Sequence, residues 1–236
     1  NIHEYLLNSF TKYIYILYKI LFFMKFAGDK KVGKGLFSYF EDKLVKTYVS
    51  KIPSYIETYH LTYTTLLWSG LILLFSYFAK TNLSWLWLVS FMIVCQYLTD
   101  LFDGAVGRYR KTGLITWGYY MDHFLDYLFL CSLLIGYAFI LPDVYDIFLF
   151  FILAIFGGFM VNSYLSFAAT NQFKIHYLGI GPTEIRLLFI IINTLIIVFG
   201  KTYMAFSLPF VLILSVLGLV VVVWKTQKYL WDTDMQ

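Results

Sequence analysis

Six stretches of the 236-residue chain stay apolar for about the length that crosses a bilayer, roughly 20 residues. They lie at about 62–79, 84–108, 114–141, 146–169, 184–200 and 203–224, and they predict six membrane helices. Away from the ends of these runs, carboxylates interrupt the second and the third. The pattern upstream is different. Residues 5–26 space Lys12, Lys19 and Lys25 among aromatic and aliphatic positions. A second stretch, 36–51, puts Phe40, Leu44 and Tyr48 on one face and Glu41, Asp42, Lys43 and Lys46 largely off it. Both read as helices lying in the interface rather than through it, with glycine-flanked residues 28–35 breaking the chain between them. No small-residue cleavage site follows the first, so it does not read as a signal peptide. The predicted fold is all-α, an integral membrane protein in two parts: residues 1–56 as N-terminal interfacial amphipathic helices, and residues 57–236 as one domain of six transmembrane helices.

Composition agrees: 60% of residues are hydrophobic and 14% charged, with a mean hydropathy of +0.72, which excludes an ordinary soluble domain. The placement of positive charge sets a direction. Nine lysines precede the first span, Arg108, Arg110 and Lys111 follow the second, Lys174 and Arg186 flank the fourth loop, and Lys225 and Lys228 follow the sixth; the other side carries Lys80 and Lys201. By the positive-inside rule, both termini and the carboxylates Asp100, Asp103, Asp122 and Asp126 on either side of the second loop face the cytoplasm. The net charge of +4 calls for no nucleic acid, since anionic headgroups suit such basic edges. Cys95 and Cys131 have no paired-ligand spacing and read as small core residues. The four histidines make no zinc pattern.

Asp100, Asp103, Asp122 and Asp126 are the anomaly. Each carboxylate inside a span costs roughly 2.5 to 3.5 kcal/mol on insertion scales, on the order of 10 kcal/mol for four left bare. Residues three or four apart share a helix face, so Asp100 projects with Asp103 and Asp122 with Asp126. Between the pairs, residues 108–113 are too polar for lipid, which makes the second and third spans a hairpin whose four carboxylates converge. Divalent cations that prefer oxygen ligands would offset the cost of burial. Gly104, Gly107 and Gly118 lie alongside, where a phosphate or another helix can approach the backbone. Arg108 is a permanently charged, fork-shaped donor suited to phosphate oxygens.

These residues carry a resemblance. Asp100-Leu-Phe-Asp103-Gly104-Ala-Val-Gly107-Arg108, nine intervening residues, and Gly118-Tyr-Tyr-Met-Asp122-His-Phe-Leu-Asp126 resemble the signature of the CDP-alcohol phosphotransferases, DxxDGxxAR followed by GxxxDxxxD. Seven of the eight fixed positions match, with Gly107 in place of alanine. The resemblance implies an enzyme that transfers a substituted phosphate group, and two divalent cations, Mg or Mn, on Asp100, Asp103, Asp122 and Asp126. It further implies a cytidine nucleotide against Asp100, Gly104, Gly107, Arg108 and Gly118, with a homodimer among the expected partners. The Pro-Asn pair that commonly precedes the family's first span is replaced by Thr58-Tyr59, with Leu61 and Thr62 in place.

A base must take the proton of the acceptor hydroxyl. The family's fourth Asp, here Asp126, is one candidate and His123 is another, because a histidine titrates near neutrality whereas an Asp beside cations is held ionised. Thr183 and Glu184 open the fifth span, where capping explains the first and in part the second. Capping does not explain Arg186 at the head of the apolar run 187–192. Glu184 is expected to orient His123 or the acceptor, and Arg186 to bind an anionic group or pair with a carboxylate. Asp122-His123-Phe-Leu-Asp126 with Thr183-Glu184 resembles the choline and ethanolamine phosphotransferase branch, which implies phosphocholine or phosphoethanolamine transfer from its CDP derivative to diacylglycerol with release of CMP. Two other readings stay open: a CDP-diacylglycerol donor with a polar acceptor such as glycerol phosphate, serine or an inositol phosphate, and a divalent-cation transporter. The transporter fits poorly, since such sites sit near the midplane between repeats and no repeat is seen here.

Overall fold

The computed structural model describes residues 31–32, 36–174 and 181–235. The stretch 5–26, read above as an interfacial helix, lies outside them. A surface helix comes first, α1 (Ser38–Tyr48), continued by one 3-10 turn, Val49–Lys51. Six longer helices follow: α2 (Thr58–Ala79), α3 (Leu86–Arg110), α4 (Ile115–Ile140), α5 (Asp146–Thr170), α6 (Pro182–Phe199) and α7 (Lys201–Asp234). All six are long and apolar enough to cross a membrane, α3 and α5 each with a leading 3-10 turn. The chain is therefore a multi-pass, all-α membrane protein. Among the described residues the only extended pairing is a two-residue parallel one, β1 (Lys31–Val32) against β2 (Phe173–Lys174).

Hydropathy placed the spans well and their ends less well. The sixth run was expected to stop near residue 224, but α7 continues to Asp234. At 1.5 Å per residue its 34 residues reach about 51 Å, beyond a hydrocarbon layer of about 30 Å. The basic end that begins at Lys225 thus continues as helix outside the apolar layer. The fifth and sixth spans are joined by Gly200 alone, whose φ of +81° gives a turn that an L side chain would strain.

The second and third spans form the expected hairpin, but its arms are spread apart. Helix α2 packs closely along both α3 and α4, using a buried stripe of Thr58, Thr62, Thr65, Ser69, Ile72, Ser76 and Ala79. The spacing of four and three keeps the stripe on one face, and its small side chains let neighbouring backbones come close. A Cβ on Gly136 of α4 would lie 2.5 Å from Ser76 Oγ, so that contact requires glycine. Helix α6 packs on α3, and α5 packs on α4 and α7. A buried polar ladder ties α4, α6 and α3 together: Tyr137 Oη donates to Asn193 Oδ1 (2.9 Å) and Asn193 Nδ2 donates to Ser90 Oγ (3.1 Å).

Helix α1 has no buried residue. Phe40 and Tyr48 are exposed, as suits a helix laid at the interface, while Glu41 ties it to the bundle. Glu41 Oε1 accepts hydrogen bonds from Thr183 Oγ1 (2.7 Å) on α6 and Tyr97 Oη (3.1 Å) on α3. The link to α2 is wrapped around Arg110, whose guanidinium donates to the carbonyls of Ile52 (3.0 Å), Pro53 (2.9 Å) and Ile56.

Candidate active site

The spread arms of the hairpin leave a gap beside α2, and charged side chains fill it. Asp100 of α3 and Asp122 and Asp126 of α4 each bring a carboxylate oxygen to within 4.8 Å of the other two. Asp126 sits eleven residues into α4, about 16 Å along its axis, so the group lies among the helices rather than on a loop. Arg186 enters from α6. Its Nη2 donates to Asp100 Oδ2 and to Asp126 Oδ1, both at 3.0 Å. Its Nε donates to Gln96 Oε1 at 2.7 Å, and Gln96 Nε2 closes a ring on Asp126 Oδ1 at 3.4 Å. Arg186 and Gln96 are buried, and the guanidinium carbon lies 5.8 Å from the centroid of the Phe129 ring. Of the two roles expected for Arg186, the structure displays the pairing with carboxylates.

Asp103 stands outside the close triangle, one turn beyond Asp100 on α3. Thr62 Oγ1 donates to its Oδ2 at 2.6 Å and Thr58 Oγ1 to its backbone carbonyl at 3.2 Å. Thr58, from the pair that departs from the family pattern, also lies against Gly107, where a Cβ would be 2.9 Å from its Oγ1. Gly107 thus lets α2 and α3 touch. Arg108 is exposed and folds back over Gly104, a Cβ on which would be 3.1 Å from Nη1. Around Gly118 a Cβ would meet nothing within 4 Å. The two arginines here differ: Arg110 is engaged by loop carbonyls, whereas Arg108 is exposed and lies over Gly104.

His123 is held next to the triangle. Its Nδ1 is 3.1 Å from Asp122 Oδ2, and its ring stacks on Phe173 (centroids 4.7 Å apart, planes 20°) and Tyr164 (5.6 Å, 18°) with Tyr119 tilted at 4.4 Å. A groove of about 430 Å³ runs between α4 and α5 beside this ring, lined mostly by aromatic and aliphatic side chains, among them Tyr127, Met160 and Tyr164, with Gly157 widening it. Glu184 is placed at the head of α6. Its Oε2 accepts from Gly181 N–H and its Oε1 from Leu36 N–H, each at 2.8 Å. It, and not Thr183, whose hydroxyl goes to Glu41, therefore caps α6, and it ties that end to the chain entering α1.

A donor set made wholly of carboxylate oxygens suits a hard divalent cation. Residues 59–224, well over half the chain, match the CDP-alcohol phosphatidyltransferase family model. The chain belongs to that family. It is accordingly a transferase acting on a CDP-linked alcohol, in a family that uses divalent metals. No curated protein matches the sequence closely enough to count as a relative.

Several side chains that shape the site escaped the sequence reading. Gln96 carried a faint signal, a lone amide in an apolar run four residues before Asp100. Thr62 carries no role in the sequence pattern, and Glu41 reads only as one of the charges off the apolar face of its helix. Phe173 belongs to the two-residue β2, and nothing local to it points toward His123. Thr62 supplies a test. Thr62→Val keeps the shape and removes the hydroxyl from a buried carboxylate, which costs about 1–3 kcal/mol. Because such supporting bonds tune metal ligands, Mn²⁺ binding by the purified protein is expected to weaken about 10- to 100-fold, measured by calorimetry. An affinity equal to that of the parent would show that Asp103 needs no such support.

Proposed function

We propose that the enzyme transfers phosphocholine or phosphoethanolamine from its CDP derivative to diacylglycerol, releasing CMP, with the site opening toward the cytoplasm. The observation that carries this reading is the position of His123 between the carboxylate triangle and the apolar groove. A neutral lipid alcohol fits a groove that, among the described residues, is lined by no Lys or Arg, whereas an acceptor bearing phosphate would call for a cation there. The acidic residues 100, 103, 122 and 126 hold the two divalent cations, Mg or Mn. When bound, these supply charge neutralisation for the pyrophosphate and for the leaving nucleotide oxygen.

The protein's own residues do the rest. Arg108 holds a phosphate of the donor, with Gly104, Gly107 and Gly118 leaving room for the nucleotide against α3 and α4. Asp122 fixes the imidazole through Nδ1, which directs Nε2 to the acceptor hydroxyl. His123 takes the hydroxyl proton as the oxygen forms its bond to the phosphorus of the head group and the bond to CMP breaks. Asp126, engaged by Arg186 and Gln96, serves as a ligand rather than as the base. Glu184 positions the α6 terminus at the mouth of the site.

Labelled CDP-choline, CDP-ethanolamine and CDP-diacylglycerol, each offered with Mn²⁺ or Mg²⁺ to the purified protein, test the proposal through CMP release. CMP with either aminoalcohol donor plus diacylglycerol is the expected result. CMP only with CDP-diacylglycerol and a water-soluble alcohol establishes the second reading instead.

A further inference from the structure

Arg186 is unusual in touching two carboxylates of the triangle at once. A cation within about 2.1 to 2.6 Å of those oxygens would stand no more than about 5.6 Å from Nη2, itself 3.0 Å from Asp100 Oδ2 and Asp126 Oδ1. At that separation, in surroundings drier than water, two positive charges repel appreciably. The guanidinium has little room to retreat, with Gln96 on Nε, the Phe129 ring beside it and burial to 6% exposure. It therefore bears on the same two oxygens whether or not they hold metal.

We propose that Arg186 is an internal counter-ion for the carboxylate triangle. It holds Asp100 and Asp126 together when no divalent cation is bound, and it competes with the cation for them, setting the metal affinity below what the carboxylates alone would give. Gln96 is the positioning residue that aims it, from α3 to α6, across the gap left by the spread hairpin. Like-charged carboxylates this close repel, and buried charges are tolerated only when paired; one fork-shaped donor serves both. This inference rests on the acidic residues being metal ligands, and it does not depend on which head group is transferred.

The test compares the full-length parent, Arg186→Met and Arg186→Lys in detergent, reading Mn²⁺ affinity by calorimetry and thermal midpoint in EDTA and in saturating Mn²⁺. Arg186→Met is expected to melt earlier in EDTA, to regain most of that loss with Mn²⁺, and to bind Mn²⁺ about tenfold more tightly. Arg186→Lys, which keeps the charge, is expected to bind within about threefold of the parent. An arginine that merely braces the fold predicts the opposite for Arg186→Met: equal loss of stability with and without metal, and affinity unchanged or weaker. That result overturns the proposal. If Arg186→Met cannot be purified in either condition, Arg186→Lys decides alone, and a departure from parental affinity of tenfold or more in either direction overturns it. A parent that binds no Mn²⁺ at all sinks the metal reading under the proposed function; a parent that binds, with Arg186→Met indistinguishable from it, sinks only this inference.

Discussion

Asp122→Asn is expected to lower kcat by on the order of 10³ while leaving the protein folded. Asn keeps the size of the side chain and removes its charge, so the main losses are one metal ligand and the anion facing His123 Nδ1 at 3.1 Å. Bound metal contributes several kcal/mol of transition-state stabilisation in sites of this kind, and each 1.4 kcal/mol is a factor of ten in rate. Mn²⁺ affinity is expected to fall in the same variant, and CMP release and calorimetry on one preparation check both. Turnover within tenfold of the parent would remove Asp122 from the ligand set.

The second large effect is expected at His123. A positioned general base contributes roughly 10²- to 10⁴-fold, so His123→Ala should lose about that much in kcat. KM for the CDP donor should stay within about threefold, because the ring lies beside the apolar groove, whereas Arg108 and the glycines are the residues proposed to hold the nucleotide. Steady-state CMP release against donor concentration separates the two constants. A rate equal to that of the parent would take His123 out of the mechanism and return the role of base to Asp126.

The spans were legible in the sequence because bilayer thickness forces long apolar runs. Asp100, Asp122 and Asp126 were legible because a carboxylate in such a run is too costly to keep without a positive partner. What was not legible has a common cause. Arg186 and Asp100 are 86 positions apart, Thr62 and Asp103 are 41 and Thr183 and Glu41 are 142, and no periodicity reports on such pairings. Glu184 illustrates the limit: its place in the first turn of a helix was readable as capping, and Gly181 N–H confirms that part, but the bond to Leu36 N–H depends on where a separate surface helix lands. The separation of the hairpin arms was equally hidden. It goes with α2 packing along both α3 and α4, a three-helix arrangement that no local pattern in either arm reports.

Glu41 works as a keystone. A single oxygen of its carboxylate receives the hydroxyls of Tyr97, one turn ahead of Asp100, and of Thr183, one turn ahead of Arg186. A chain trimmed to its membrane spans would keep Asp100, Asp103, Asp122 and Asp126 and still lose the carboxylate that links the two helices whose side chains meet at 3.0 Å. Trimming of that kind removes part of the catalytic geometry along with what looks like a mere anchor.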